Sequence, residues 1–101
     1  MASRLELHNE LKNLMGSENV YYQPPESLKM EYPAIRYSLK NIESTFANNA
    51  RYSLQIYYEL IVISKTPDPE VIHKLLGLPY CSFDRHYKSD NLNHYVFTLH
   101  Y

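Results

Sequence analysis

The stretch from Leu78 to Tyr101, LPYCSFDRHYKSDNLNHYVFTLHY, constrains the fold more than any other. It holds two runs rich in aromatic and β-branched residues, Tyr80–Tyr87 and His94–Tyr101, separated by the polar turn-formers Lys88 to Asn93. That pattern predicts a β-hairpin with a longish loop. In the second run Tyr95, Phe97, Leu99 and Tyr101 alternate with His94, Val96, Thr98 and His100, as expected of a strand with one buried face. Tyr101 itself is expected to be pinned in the sheet.

The remaining elements fall around this hairpin. Ser3 to Met15 reads as a helix, with Ser3 and Glu6 as a capping box and Leu7, Leu11, Leu14 and Met15 on one face. Gly16 stands where a left-handed residue would close it. Val20–Tyr22 is a candidate short strand. Pro33 to Leu39 is a further strand, with proline at its start, where a missing amide does least harm. Asn41 to Ala50, NIESTFANNA, reads as a polar connector with isolated Ile42 and Phe46. Arg51 to Lys65 is the clearest strand: Tyr52, Leu54, Ile56, Tyr58 and Leu60 alternate with polar or aromatic neighbours. Beyond Leu60 both of its faces turn apolar, as in a central strand covered on both sides. Asp68 as N-cap and Pro69 at the first helical position predict a short helix to Leu76, closed by Gly77. The order predicts one α+β domain over residues 1–101: a mainly antiparallel sheet of four to five strands with two helices packed on it.

Composition narrows the function. Ten basic and eleven acidic residues leave a net charge of −1, so a strong general attraction to nucleic acid or to an anionic membrane is not indicated. The single cysteine, Cys81, cannot form an internal disulfide and fits a reducing compartment. The longest purely aliphatic run is Leu60–Ile63, far short of a membrane span, and the N-terminus lacks a secretory apolar core. A soluble protein made in a cytoplasm is expected. Eleven tyrosines among 101 residues suit strands, and they suit contact surfaces, where a rigid amphipathic ring is useful.

Cys81, Asp84, His86, Asp90, His94 and His100 lie close in sequence and carry metal-ligating groups. Plain alternation puts Asp84 and His86 on one face and Cys81 on the other. His94 and His100 would stand about 20 Å apart along a strand. An Asp84–His86–His94 group across the hairpin is the remaining candidate for metal or acid–base chemistry. The plainer reading makes these residues the polar outer face of a hairpin, and no metal or cofactor is expected. Ser82 and His86 share a face by the same alternation, but no nucleophile elbow or oxyanion loop accompanies them. With two glycines in the chain there is no phosphate-binding loop. Tyrosines beside Arg36, Arg51 and Arg85 could stack single-stranded nucleic acid, but the basic surplus normal for such sites is missing. Contact between copies of the chain explains them more simply.

Several short runs resemble a known family. They are Tyr32-Pro33, Tyr37-Ser38, Thr66-Pro67-Asp68, Cys81-Ser82-Phe83-Asp84-Arg85 and Asp90-Asn91-Leu92-Asn93-His94, within residues 31–101. Together they resemble the tail terminator, tail completion or head–tail joining proteins of long-tailed bacteriophages. The short helix at Pro69–Leu76 rests on its caps, not on the resemblance. The resemblance implies a non-enzymatic virion protein whose copies form a ring, six-fold, on the last ring of tail-tube subunits. Its partners would be the tail-tube protein and the head–tail connector proteins, with DNA passing through the channel and no membrane involved. On this reading the subunit contacts would come from Tyr37, Phe46, Asn48, Asn49, Arg51, Tyr57, Arg85, Tyr87, Asp90 and Asn91. Three other readings stay open: a head-side connector, a small metal-dependent or nucleic-acid-processing enzyme, and a regulatory binding module.

Overall fold

In the computed structural model, residues 4–24, 29, 32–47, 50–67 and 69–100 are described, with backbone alone for 45, 47 and 50–53. Helix α1 spans Arg4–Met15, strand β1 Val20–Tyr22, β2 Ala34–Ala47, β3 Ala50–Ser64, helix α2 Glu70–Leu76, β4 Cys81–Ser89 and β5 Leu92–His100. The strands form one five-stranded sheet in the order β1-β2-β3-β5-β4. β1 runs parallel to β2 and every other pairing is antiparallel. The α+β class expected from the sequence is the class observed.

Both helices cover the same face of the sheet. Leu7 and Leu11, one turn apart on α1, and Val71, Ile72 and Leu75 on α2 pack against Ile35, Tyr37, Tyr58, Leu60, Val62, Phe97 and Leu99. The i, i+4 spacing of the helix meets the i, i+2 spacing of the strands, and one core results. α1 carries Glu6 in its first turn and Lys12 in its last, which complements the helix dipole. Gly16, at φ +73°, ends it, and its N–H bonds the Lys12 carbonyl at 2.8 Å. The Ser3 half of the expected capping box lies outside the described residues. Among the described residues no helix is long and apolar enough to cross a membrane.

Several expectations need correction. The polar connector Asn41–Ala50 is largely strand: β2 continues through Ala47 and β3 begins at Ala50. No glycine or proline interrupts the run, and a ladder to β3 satisfies its backbone, so polar side chains simply face water on both sides. Asn48 and Asn49 lie outside the described residues. The hairpin loop expected at Lys88–Asn93 shrinks to Asp90 and Asn91, both at positive φ (52° and 62°). Asp and Asn tolerate this left-handed backbone, and such a turn matches the twist of the strands it joins. Pro69 is the N-cap of α2 rather than its first helical residue, with extended backbone (ψ 149°); Asp68 lies outside the described residues. β5 does not bury one face alone. Val96 is as enclosed as Phe97, because β5 is an interior strand between β3 and β4. Tyr101, expected to be pinned in the sheet, lies outside the described residues.

Three bulges shape the sheet. Lys40 is the extra residue between the pairs Leu39–Tyr58 and Asn41–Tyr57, and Tyr52 between Thr45–Ser53 and Phe46–Arg51. Asp84 is the third, between Phe83–Phe97 and Arg85–Val96. A bulge inserts one residue and reverses which face the following side chains take.

Candidate subunit interface

β1 pairs with β2 only at Ile35–Tyr37, and β5 pairs with β3 only from Tyr57 to Ser64. Beyond those limits β2 and β3 continue as a two-stranded arm, Asn41–Ala47 against Ala50–Ile56, with no third described strand on either edge. The arm accounts for the elongated shape of the molecule, 51 × 30 × 24 Å. Lys40, the bulge residue at its root, donates from Nζ to Thr98 Oγ1 across β3 at 3.1 Å.

The exposed large apolar side chains fall mainly in two places. On β2, from the root of the arm outward, stand Leu39 (44% exposed), Ile42 (50%) and Phe46 (66%). At the far edge of the sheet stand Phe83 (47%) and Tyr87 (39%) on β4, with Leu76 (48%) on α2. Ile42 lies opposite Ile56 across the arm, and Ile56 is half-buried against the edge of the core. Phe83 meets Phe97 edge to face, 5.5 Å between centroids. β4 is exposed along nearly its whole length and, among the described strands, pairs with β5 alone.

The residues expected at subunit contacts distribute unevenly. Phe46 is at the arm. Asn48 and Asn49 lie outside the described residues, as does the side chain of Arg51. Arg85, Tyr87, Asp90 and Asn91 are exposed on or beside the β4–β5 hairpin. Tyr57 is half-buried, stacked on His100 with 5.0 Å between centroids and donating its hydroxyl to Gln55 Oε1 at 2.8 Å. Tyr37 is not at any surface. It is fully buried under α1, where its hydroxyl meets Arg4 Nη1 at 3.2 Å and His8 Nδ1 at 2.7 Å. Its place on an interior strand between β1 and β3, beneath α1, was not readable from its own strand. Leu39, Leu76 and Phe83 were missed as surface residues; the one available signal was an apolar residue surviving in an otherwise polar run, as at Ile42 and Phe46.

The candidate chemical group separates. The Asp84 bulge overturns plain alternation, so Cys81, Phe83 and His86 face the helix side, opposite Leu99, Phe97 and Tyr95, whereas Ser82 and Tyr87 face away. His86 stacks on Tyr95 at 4.6 Å and His94 on Tyr87 at 4.7 Å, on opposite faces of the hairpin. Asp84 is paired with Arg85 at 2.7 Å. Neither Asp84–His86–His94 nor Ser82–His86 is brought together, and among the described residues no three His, Cys, Asp or Glu side chains converge. Burial pushes the Cys81 thiol up to about 11, which keeps it protonated at neutral pH. Compared with known protein families and with curated proteins, the chain matches none.

Proposed function

We propose that this chain is a non-catalytic structural protein of a long-tailed bacteriophage, a tail terminator. Its copies would close into a ring, six-fold by the resemblance, on the last ring of the tail tube. The ring ends tube polymerisation and offers a surface to the head–tail connector proteins, and DNA passes through its channel. The virion neck is then its location.

The observation that carries self-assembly is the arm. A two-stranded ribbon alone in water is marginal at best. Here one extends from the sheet with apolar side chains exposed and, among the described residues, no strand on either edge, and exposed apolar surface of this kind marks contact sites. The assignment to phage tails rests on the runs Tyr32-Pro33, Cys81–Arg85 and Asp90–His94. A heterologous contact that closes on itself gives a ring with every such surface covered.

The test is light scattering of the purified chain, alone and with the tail-tube protein of the same genome. A ring, or a complex with tube ends, is the expected result. Failure to bind the tube in any state would overturn the terminator reading.

A further inference from the structure

The molecule carries two separate apolar surfaces, and they cannot meet within one copy. The arm continues β2 and β3 outward, while β4 lies at the sheet edge beyond β5. A ribbon locked by its own ladder does not turn back over two strands. We propose that the arm of one copy docks along the β4 edge of the next, so that Ile42 and Phe46 cover Phe83 and Leu76 in a head-to-tail contact. This rests on the ring reading and names the surfaces that would build it.

Three observations select a second copy as the occupant. First, the two surfaces occur once each per chain, the requirement for a heterologous contact that repeats around a ring. Second, the sizes agree. At about 3.3 Å per residue the arm reaches roughly 20–25 Å, and the body it would cross measures 30 × 24 Å in its shorter dimensions. A ribbon that long and about 10 Å wide covers with one face and one edge on the order of 350 Å². That is less than the ~800 Å² per partner of a standard interface, but in a ring every copy makes the contact twice. Third, the arm has little charge bias to select a polyanion: Lys40, at the root, and Arg51 against Glu43 leave one net positive charge.

The docking is directional for a structural reason. The Asp84 bulge and the neighbouring charges of Arg85 and Lys88 discourage β4 from pairing with another β4 along its full length. Cys81 to Phe83, before the bulge, keeps regular strand geometry. An incoming arm edge can extend the sheet there while its apolar side chains reach Phe83. Arm and edge thus differ in shape, and the contact joins unlike surfaces.

The experiment uses the full chain with Cys81→Ser as background. One preparation carries Ser44→Cys, beside the arm's apolar residues; another carries Ser82→Cys, beside Phe83. Each is sized by light scattering, and then they are mixed and treated with a short bis-maleimide. An assembly that yields the 44–82 cross-linked pair, with little 44–44 or 82–82 product in the single preparations, supports the proposal. Ile42→Ser with Phe46→Ser should weaken self-association roughly tenfold or more, as removal of central apolar anchors does, without lowering the thermal midpoint of the monomer. An assembly without the 44–82 product, or dominated by 44–44 pairs, overturns this contact and leaves the ring standing. A chain that stays monomeric with and without tube protein overturns the ring as well.

Discussion

The buried hydroxyl of Tyr37 sits 2.7 Å from Nδ1 of His8, across the contact between β2 and α1. Arg4 donates to the phenol oxygen at 3.2 Å, and His8 Nδ1 takes the phenol hydrogen or donates to the oxygen according to its tautomer. Burial, then the charges of Lys12 and Arg4, pull the His8 pKa below its ordinary 6.5, against a smaller opposing effect of Glu18. The unfolded chain therefore takes up this proton first as pH falls. Stability from this contact is complete above the ordinary histidine range and is lost as pH drops from about 6.5 toward the lowered value. The thermal midpoint should thus fall between pH 7.5 and pH 5.5, and His8→Gln should reduce that fall. Tyr37→Phe leaves the burial of His8 and the charges of Lys12 and Arg4 in place, so it should keep that pH dependence while costing about 1–2 kcal/mol at neutral pH. A fall unchanged by His8→Gln would rule out this origin.

Leu11 is fully enclosed on the inner face of α1, whereas Leu5 on the same helix is exposed. Leu11→Ala removes core volume and should cost about 2–5 kcal/mol, a large share of a stability on the order of 5–15 kcal/mol. Leu5→Ala should stay within about 0.5 kcal/mol. Urea unfolding followed by circular dichroism checks both, and equal effects would contradict the placement of the helix.

The turn at Asp90-Asn91 makes an opposite prediction for two small residues. Asn91 has φ +62°, where a Cβ is unfavourable and glycine is free. Asn91→Ala should lower stability by about 1 kcal/mol, and Asn91→Gly should hold or raise it. Thermal melting of the pair distinguishes this turn from a loose loop, which would tolerate both.

Cys81 is half-buried opposite Leu99, and burial moves its pKa from 9.0 to about 11. Roughly a hundredth of the usual thiolate remains at neutral pH, so iodoacetamide should modify it about a hundred times more slowly than an ordinary exposed thiol. The rate should reach the ordinary value when the chain is unfolded in urea. Fast modification of the folded protein would place Cys81 at the surface.

Much of the fold was legible because it rests on periodicity. The α1 stripe of Leu7 and Leu11, the alternation in Arg51–Lys65 and the aromatic runs of the last quarter each report a buried face. What was hidden depends on partners remote in sequence. The strand character of Asn41–Ala47 comes from its ladder to β3 and not from its own polar residues. The burial of Tyr37 comes from α1 lying over it. The face taken by His86 depends on one bulge, at Asp84, that alternation cannot reveal. Of the candidate interface, Phe46 and Tyr87 were readable as large aromatic side chains in polar surroundings. The partition between arm and β4 edge required the strand order, because nothing local tells a residue that its sheet ends beside it.

The bulges at Lys40 and Tyr52 stand on opposite strands of the arm, and each adds one residue. The first slips the two strands by one position and the second restores them. Between them, Asn41–Thr45 runs out of phase with both body and tip, which agree with each other. The arm is thus a compensated frameshift written in hydrogen bonds. Loss of Lys40 alone would close the first bulge and leave Asn41 opposite Tyr57 and Ala47 opposite Ala50. Loss of Lys40 and Tyr52 together would leave an unbroken ladder in which every other pair is kept.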